Sequence, residues 1–467
     1  MLEIAGKRIT VMGLGTRGGG LGVARYLASH GARVTVTDTR SAEELQEPLA
    51  SLAGLPITLA LGGHQERDFT TAGADMVVRN PAVRKNSPWL EMARQSGVAV
   101  EMEMSIFLKL CPAPVIGVTG TKGKSTTSAI CGEMLSAWRS DAVIAGNMGI
   151  SALAELDAVT AETPVLLELS SWQLESLDEH RLAPHIGVLT NISQDHLDAY
   201  PTFADYADCK RSIGSHMTSA DHLIVNADDA EAMKVVNTTR ARIVRFSSAI
   251  DDADVVARDG VVRWRFEESA GSFPLPDRPV YRGGPLRANV AAAVAAAILR
   301  GAPVEAVQAG LQSFSGVANR SESVATIDAI EYINDTAATA PAAVGAALEA
   351  LAGRRIHVIA GGSDKHSDLT PLADSLKARA TTVSLLEGTA TPVLEAMLRE
   401  REVALTGVWK SMAAAVSAAR AAAGPGDVVL LSPGCASFGL FRDEFDRGEQ
   451  FRRAVRSLLS GAEGIPT

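Results

Sequence analysis

Cysteine is scarce in this chain. Its four thiols, Cys111, Cys131, Cys209 and Cys435, stand far apart, with no C-x-x-C pair and no histidine at zinc-finger spacing. A disulfide framework and a structural zinc site are thereby disfavoured, and a reducing compartment is the simpler setting. Basic charge is short as well. Lys plus Arg is 44 against 54 for Asp plus Glu, a net charge of −10, and no basic block stands out from that acidic background. Binding to nucleic acid or to an anionic membrane through bulk charge is therefore disfavoured. Long apolar runs are missing too, since no stretch approaches the ~18 residues of a membrane span. The opening MLEIAGKRITVMGLG enters a strand-like segment without a signal-peptide pattern. The expectation is a soluble cytoplasmic protein. What is present, 46% hydrophobic and 21% charged residues in 467, is an ordinary globular composition; at about 150 residues per domain the length suggests roughly three domains.

The first hundred residues repeat one rhythm of β-branched run, glycine turn and helical stretch: Arg8 to Met12, GLGTRGGG, a helix to His30, then Arg33 to Thr37. That alternation predicts parallel strands with crossover helices. Pro112 and Pro114 interrupt it before a new strand at Val115 to Thr119, which places a first boundary there. Further strands are predicted at Val165 to Leu169, His185 to Thr190 and His222 to Asn226, followed by a β-rich segment from Arg242 to Trp264. An alanine-rich helix from Asn289 to Leu299 and a second near Val304 to Leu311 lead to a loop at 316–320. Strands then resume at Ile330 to Asn334, Arg355 to Ala360, Thr382 to Leu386 and Val428 to Leu431, with an alanine-rich helix at 413–423. The fold class expected is α/β in three domains: a Rossmann-like domain at 1–112, a phosphate-loop domain at 113–316 and a second Rossmann-like domain at 317–467.

The most specific chemical signal is VIGVTGTKGKSTT at 115–127, a strand opening through glycines into a helix. The loop Gly120, Thr121, Lys122, Gly123, Lys124, Ser125, Thr126 would aim backbone N–H groups and a helix N-terminus at phosphate oxygens. Lys124 can reach β- and γ-phosphates, and Ser125 can ligate magnesium. The loop departs from G-x-x-x-x-G-K-[ST] in carrying Val118 at the first glycine position. Near the N-terminus, Gly13-Leu14-Gly15-Thr16-Arg17-Gly18 fits G-x-G-x-x-G, and Asp38 closes the next strand. Alone this suggests NAD, although the same turn accepts any diphosphate. Glu168 ends a buried strand, where an unpaired carboxylate would be costly and a metal is a natural partner. His196 lies between Asp195 and Asp198 after a strand end; capping and ligation are both open to it. Lys210 reads by itself as an exposed helix lysine, and Asn289 as a helix N-cap.

The shorter loop TGTKGKST resembles that of the ATP-dependent Mur ligase superfamily, and the resemblance continues through GNMGI, LLELSSWQLES, LTNISQDHLDAYPTF, VNADD, NRSE, INDTAAT, GGSDK and LLSPGCASFGLF in the family's order. It implies an ATP-dependent ligase whose cofactors are ATP and Mg2+ and whose substrates are UDP-N-acetylmuramoyl-L-alanine and glutamate, acting as a monomer in peptidoglycan precursor synthesis. The terminal carboxylate would take the γ-phosphate of ATP, and the glutamate amine would attack the acyl phosphate. By resemblance, Gly120 to Thr126, Asn289, Arg320 and Asp335 bind ATP; Ser125, Glu168 and His196 hold magnesium; Lys210 is carbamylated. Lys124, His196 and Lys210 form the catalytic set. Gly15, Thr16, Asp38, Thr39, Arg40, Asn80 and Asn147 hold the UDP-linked substrate. Thr336, Lys365, Ser437 and Arg442 face glutamate. The family usually has a second asparagine where this chain has Ala292, and its D-glutamate-adding members carry a lysine where this chain has Ala337. A dicarboxylate then needs another cation, Lys365 or Arg442. The lysine-free segment and the SPGCASFG run look like L-glutamate-adding members, so both enantiomers stay open. Two other readings remain, a folylpolyglutamate synthase-like ligase, against which residues 1 to 111 argue, and an NAD-linked oxidoreductase.

Overall fold

The computed structural model describes residues 2–15, 19–147, 150–194, 200–266, 269–278, 281, 284–364 and 368–460. It falls into two compact units, Met1–Phe314 and Ser315–Thr467. The first unit holds two sheets. One contains β1 (Arg8–Met12), β2 (Arg33–Asp38), β3 (Ile57–Leu61), β4 (Met76–Arg79) and β5 (Ala99–Glu101), in the order β3-β2-β1-β4-β5 and parallel throughout. The order reverses between β1 and β4, so the loops leaving their C-terminal ends flank a switch-point crevice, where open α/β sheets take ligands.

The second sheet comprises β6 (Val115–Thr119), β7 (Val143–Gly146), β8 (Val165–Glu168), β9 (Ile186–Leu189), β10 (His222–Asn226), β11 (Arg242–Ser247), β12 (Val255–Arg258), β13 (Val261–Phe266) and β14 (Ser269–Pro274). Its order is β14-β13-β12-β11-β10-β9-β6-β8-β7, parallel from β7 to β12 and antiparallel in the terminal hairpins. The central strands β6, β8 and β9 are buried at every residue, which is why they read as continuous apolar runs rather than alternating ones. The helices Lys124–Trp138, Gly284–Arg300 and Val304–Ser313 pack together beside this sheet.

Prolines 112 and 114 do lie between the helix Glu103–Leu110 and β6, but residues 1–112 and 113–314 are knit into one unit. Ser151 donates to the Glu103 carboxylate at 2.5 Å, Arg94 to Glu179 at 3.2 Å, and a ring nitrogen of His180 lies 2.9 Å from Val100 O. The division between the two units falls between Phe314 and Ser315. Unit two carries β15 (Glu322–Ile327), β16 (Ile330–Asn334), β17 (Ile356–Gly361), β18 (Thr382–Leu386), β19 (Leu405–Trp409) and β20 (Val428–Leu431) in the order β15-β16-β20-β17-β18-β19. Only the β15–β16 pair is antiparallel. No helix among the described residues is long and apolar enough to cross a membrane.

Candidate active site

The loop from Gly120 to Gly123 follows β6 and enters the helix Lys124–Trp138 through two glycines with positive φ, +140° and +84°. A Cβ on Gly120 would run into Thr190 Oγ1, and one on Gly123 would lie 2.5 Å from Asn289 Oδ1. Glycine is required at both positions. The segment after β9 braces the loop from outside. Asn191 Oδ1 accepts Lys122 N–H at 2.8 Å, and Asn191 Nδ2 and Thr190 Oγ1 donate to Lys122 O at 2.8 and 2.6 Å. Thr121 is held by Asn191 O, Ser193 and Tyr206. Lys124 Nζ folds back to donate to Gly120 O at 2.9 Å and Thr121 O at 3.0 Å. The ammonium is thus stationed over the loop's own carbonyls, beside the N–H groups that a phosphate would meet.

Asn289 does not cap its helix. That helix begins at Gly284, five residues earlier than the sequence suggested, and Asn289 projects its side-chain oxygen toward Gly123. The N-cap reading is replaced by a contact with the phosphate loop. Ala292, one turn on, is fully buried.

Glu168 terminates β8 at 1% exposure. Its Oε1 accepts Asn147 Nδ2 at 2.9 Å, and its carbonyl accepts Asn147 N–H at 2.9 Å. Its Oε2 is buried with no hydrogen-bond partner among the described residues. A buried carboxylate oxygen left open in this way is a donor waiting for a cation. No cluster of three His, Cys, Asp or Glu is found among the described residues, and His196 lies outside them, as do Thr16 and Lys365.

Lys210 is not the solvent-facing lysine its segment suggests. The helix Phe203–Arg211, capped by Thr202 through a capping box with Asp205, turns Lys210 inward to 2% exposure. Its Nζ lies 5.6 Å from the Tyr206 ring centroid and donates to Thr119 Oγ1 at 3.3 Å, while Thr119 donates to Leu169 O at 2.8 Å. The buried ammonium therefore sits beside the residues next to Gly120 and Glu168, at the C-terminal edges of β6 and β8.

At the switch point of the five-stranded sheet, Gly13 and Gly15 have positive φ, and Asn80 lies against both, its atoms 3.1 and 2.9 Å from the Cβ positions those glycines lack. Asp38 ends β2 nearly buried. It accepts Leu14 N–H at 2.9 Å and a forked pair from the Arg40 guanidinium at 3.1 and 2.9 Å. Burial alone would raise its carboxyl, but Arg40 and the Arg40 and Leu14 N–H groups outweigh it and hold the group below the usual range. Thr39 is exposed beside it.

In the C-terminal unit Asp335 follows β16 at 7% exposure, accepting Ser321 N–H at 3.1 Å and Ser432 O–H at 2.8 Å. Burial pushes its carboxyl up to about 6, against those bonds and the charge of Arg320. Thr336 is turned inward at 0% exposure, its hydroxyl donating to Glu444 O and accepting from Arg447. Ser437 is buried, whereas the Arg442 side chain is 80% exposed, 3.9 Å from Asp446. Sequence reasoning missed Thr190, Asn191, Ser432 and Arg447. The first two stand in LTNISQDH, a segment singled out for its histidine, and Ser432 in LLSPGCASFGLF, quoted without a role for that serine; Arg447 carries no local signal.

Comparison with known proteins matches residues 7–101 to the family model for the Mur ligase MurD-like N-terminal domain, 118–276 to the Mur ligase middle domain and 319–435 to the Mur ligase glutamate ligase domain. A protein from Roseiflexus sp. (strain RS-1), named UDP-N-acetylmuramoylalanine–D-glutamate ligase, is 47% identical over 98% of this chain and 100% of its own. One of the same name from Symbiobacterium thermophilum is 39% identical over 97% and 98%. The crystal structure of UDP-N-acetylmuramate-alanine ligase from Thermotoga maritima shares the fold with a TM-score of 0.61 at 20% identity, covering 97% of this chain and 100% of that one.

Proposed function

The chain belongs to the Mur ligase family, and on that premise we propose that it joins D-glutamate to the alanyl carboxylate of UDP-N-acetylmuramoyl-L-alanine in the cytoplasm, with magnesium as cofactor. It is an ATP-dependent ligase, and the observation that carries the proposal is the braced loop with Lys124 stationed on it, together with the open carboxylate oxygen of Glu168 at the end of the neighbouring strand. The names of the full-length relatives support D-glutamate. Ala337 then leaves the amino acid's second carboxylate to another cation, for which Lys365 and the exposed Arg442 remain the candidates.

In this reading the loop N–H groups and Lys124 neutralise the γ-phosphate as it moves to the alanyl carboxylate, and the amine then displaces phosphate through a tetrahedral intermediate. Ser125, Glu168 and His196 would hold magnesium, which when bound supplies further neutralisation of phosphate charge. Asn147, tied to Glu168, would contact the UDP-linked substrate near the reacting phosphate. Lys210, buried beside Thr119, would serve as the carbamylated lysine. By the family resemblance, Asn80, Gly15, Thr16, Asp38, Thr39 and Arg40 would hold the uridine diphosphate end of the substrate, and Arg320 and Asp335 would contact ATP. The test is ADP release with UDP-N-acetylmuramoyl-L-alanine and each glutamate enantiomer: turnover with D-glutamate is expected, preference for L-glutamate overturns the stereochemistry, and failure with both overturns the substrate.

A further inference from the structure

Arg447 occupies the worst place in the C-terminal unit for a cation. It lies in the first turn of the helix Glu444–Ser460, where the helix dipole disfavours positive charge, and is 0% exposed. Burial pulls its guanidinium down to about 10, so it still carries its charge at neutral pH. No carboxylate among the described residues forms an ion pair with it; Glu444 and Cys435 act on it only at longer range. Buried charges are ordinarily paired, and a lone one is retained at a cost.

Its hydrogen bonds show what that cost maintains. Arg447 Nε donates to Thr336 Oγ1 at 2.9 Å, Nη2 to Thr336 O at 3.0 Å and Nη1 to Cys435 O at 3.2 Å. Thr336 follows β16 and Cys435 follows β20, and these strands are parallel neighbours. One planar fork thus ties together two loops that leave the C-terminal edge of the sheet, where open α/β sheets take their ligands. Gly448, next to Arg447, lets the helix approach: a Cβ there would collide with Asn319 Oδ1 and lie 2.7 Å from Thr336 Cγ2. On the same edge Ser432 bonds Asp335, and Cys435 lines a small crevice with Thr339, Ser363, Asp364 and Gly434. Asp335 takes its electrostatic support from Arg320 rather than from Arg447.

We propose that Arg447 is a specificity-determining positioning residue: it cross-links the 335–339 and 432–437 loops and places behind them a positive charge that no ion pair among the described residues neutralises, so that this edge favours an amino acid with an anionic side chain over its neutral amide. The proposal rests on the glutamate reading above. In this role Arg447 acts through the Thr336 and Cys435 loops that it bonds, not by touching substrate.

The test compares the full-length enzyme with R447Q and R447K, measuring KM and kcat for ATP, UDP-N-acetylmuramoyl-L-alanine, D-glutamate and D-glutamine, with Tm alongside. Wild-type turnover with glutamate comes first; its absence overturns the substrate reading, and this proposal with it. In R447Q the preference for glutamate over glutamine in kcat/KM is expected to fall about ten-fold or more, with the KM values for ATP and the UDP substrate within about two-fold of wild type. R447K keeps the charge but not the fork, so it is expected to retain the preference while losing kcat. A folded R447Q with undiminished preference, or KM values rising alike for all substrates, overturns the role of Arg447 while leaving the glutamate reading intact. Should R447Q fail to fold, R447K decides alone: retained preference with lowered kcat supports the proposal, and lost preference or unchanged kcat overturns it.

Discussion

Asp335→Asn gives the C-terminal unit a measurable pH signature. The Asp335 carboxyl is pushed from 3.8 up to about 6, chiefly by burial, with the Ser432 and Ser321 hydrogen bonds and Arg320 opposing. Because the native value exceeds the unfolded one, the folded protein holds a proton over that interval that the unfolded chain releases. The stability contributed is fully present below about pH 4 and lost as pH rises through about 6. The interval from 3.8 to about 6 corresponds to about 3 kcal/mol. Asparagine cannot ionise, so the variant escapes this loss. For a unit of this size about 1 kcal/mol moves Tm by roughly 2–4 °C, so the Tm of wild type relative to the variant should fall by about 6–12 °C between pH 4 and pH 7.5. Scanning calorimetry of the C-terminal transition at several pH values measures it. A gap that stays constant over that range, or one in which wild type gains on the variant as pH rises, would refute the assignment of a buried, proton-holding carboxyl at this position. Any constant offset reports only the altered bond to Ser432.

Lys210→Ala is expected to abolish ADP formation in a folded protein and to regain part of it with short carboxylic acids in the buffer; unrescued loss would count against a carbamate at the buried ammonium. Gly120→Ala places a Cβ against Thr190 Oγ1 and 3.0 Å from Asn191 N at a φ of +140°, a strain of about 1–3 kcal/mol; turnover should fall about a hundred-fold with the circular dichroism spectrum unchanged, and near-normal turnover would show that the loop tolerates displacement. Glu103, buried and bonded to Ser151 and Leu153, has its carboxyl raised from 4.5 to about 7 by burial. Its stability contribution is lost as pH rises through about 7, so Glu103→Gln should match wild type near pH 4.5 and exceed it by about 3 kcal/mol at pH 8.5, read as thermal shift; equal Tm at both pH values would contradict it.

The legible strands were the interior ones. Val115–Thr119, His222–Asn226, Ile330–Asn334, Thr382–Leu386 and Val428–Leu431 have the predicted bounds because each is apolar and β-branched and pairs on both sides. The pattern did not single out β3, β5, β7, β14, β15 and β19, each at a sheet edge, nor β4, which is interior and buried at every residue. An edge strand buries less and carries polar residues on its open side, as Ile57–Leu61 does with its half-exposed residues, so neither a continuous apolar run nor a clean alternation marks it. The unity of residues 1–314 was equally hidden, since contacts such as Glu103 with Ser151 join residues far apart in sequence that no local pattern relates.

A similar asymmetry governs the site. Residues that must meet a ligand stand in short segments whose spacing is itself the chemistry: glycines where φ turns positive, a lysine one step beyond, a carboxylate at a strand end. Such spacing survives in the sequence because the ligand imposes it. Residues that hold those groups in place are chosen by whatever the fold brings near, so Asn191 clamps the phosphate loop across 69 positions and Arg447 reaches Thr336 across 111. Lys210 shows the boundary between the two kinds. Its segment is polar enough to suggest a surface helix, and only the capping box at Thr202, which sets where the helix starts, together with the packing of Tyr206, decides that the lysine points inward. The lysine ends at 2% exposure beside Thr119, next to the first glycine of the loop, a position that the polar residues around it in the sequence do not announce.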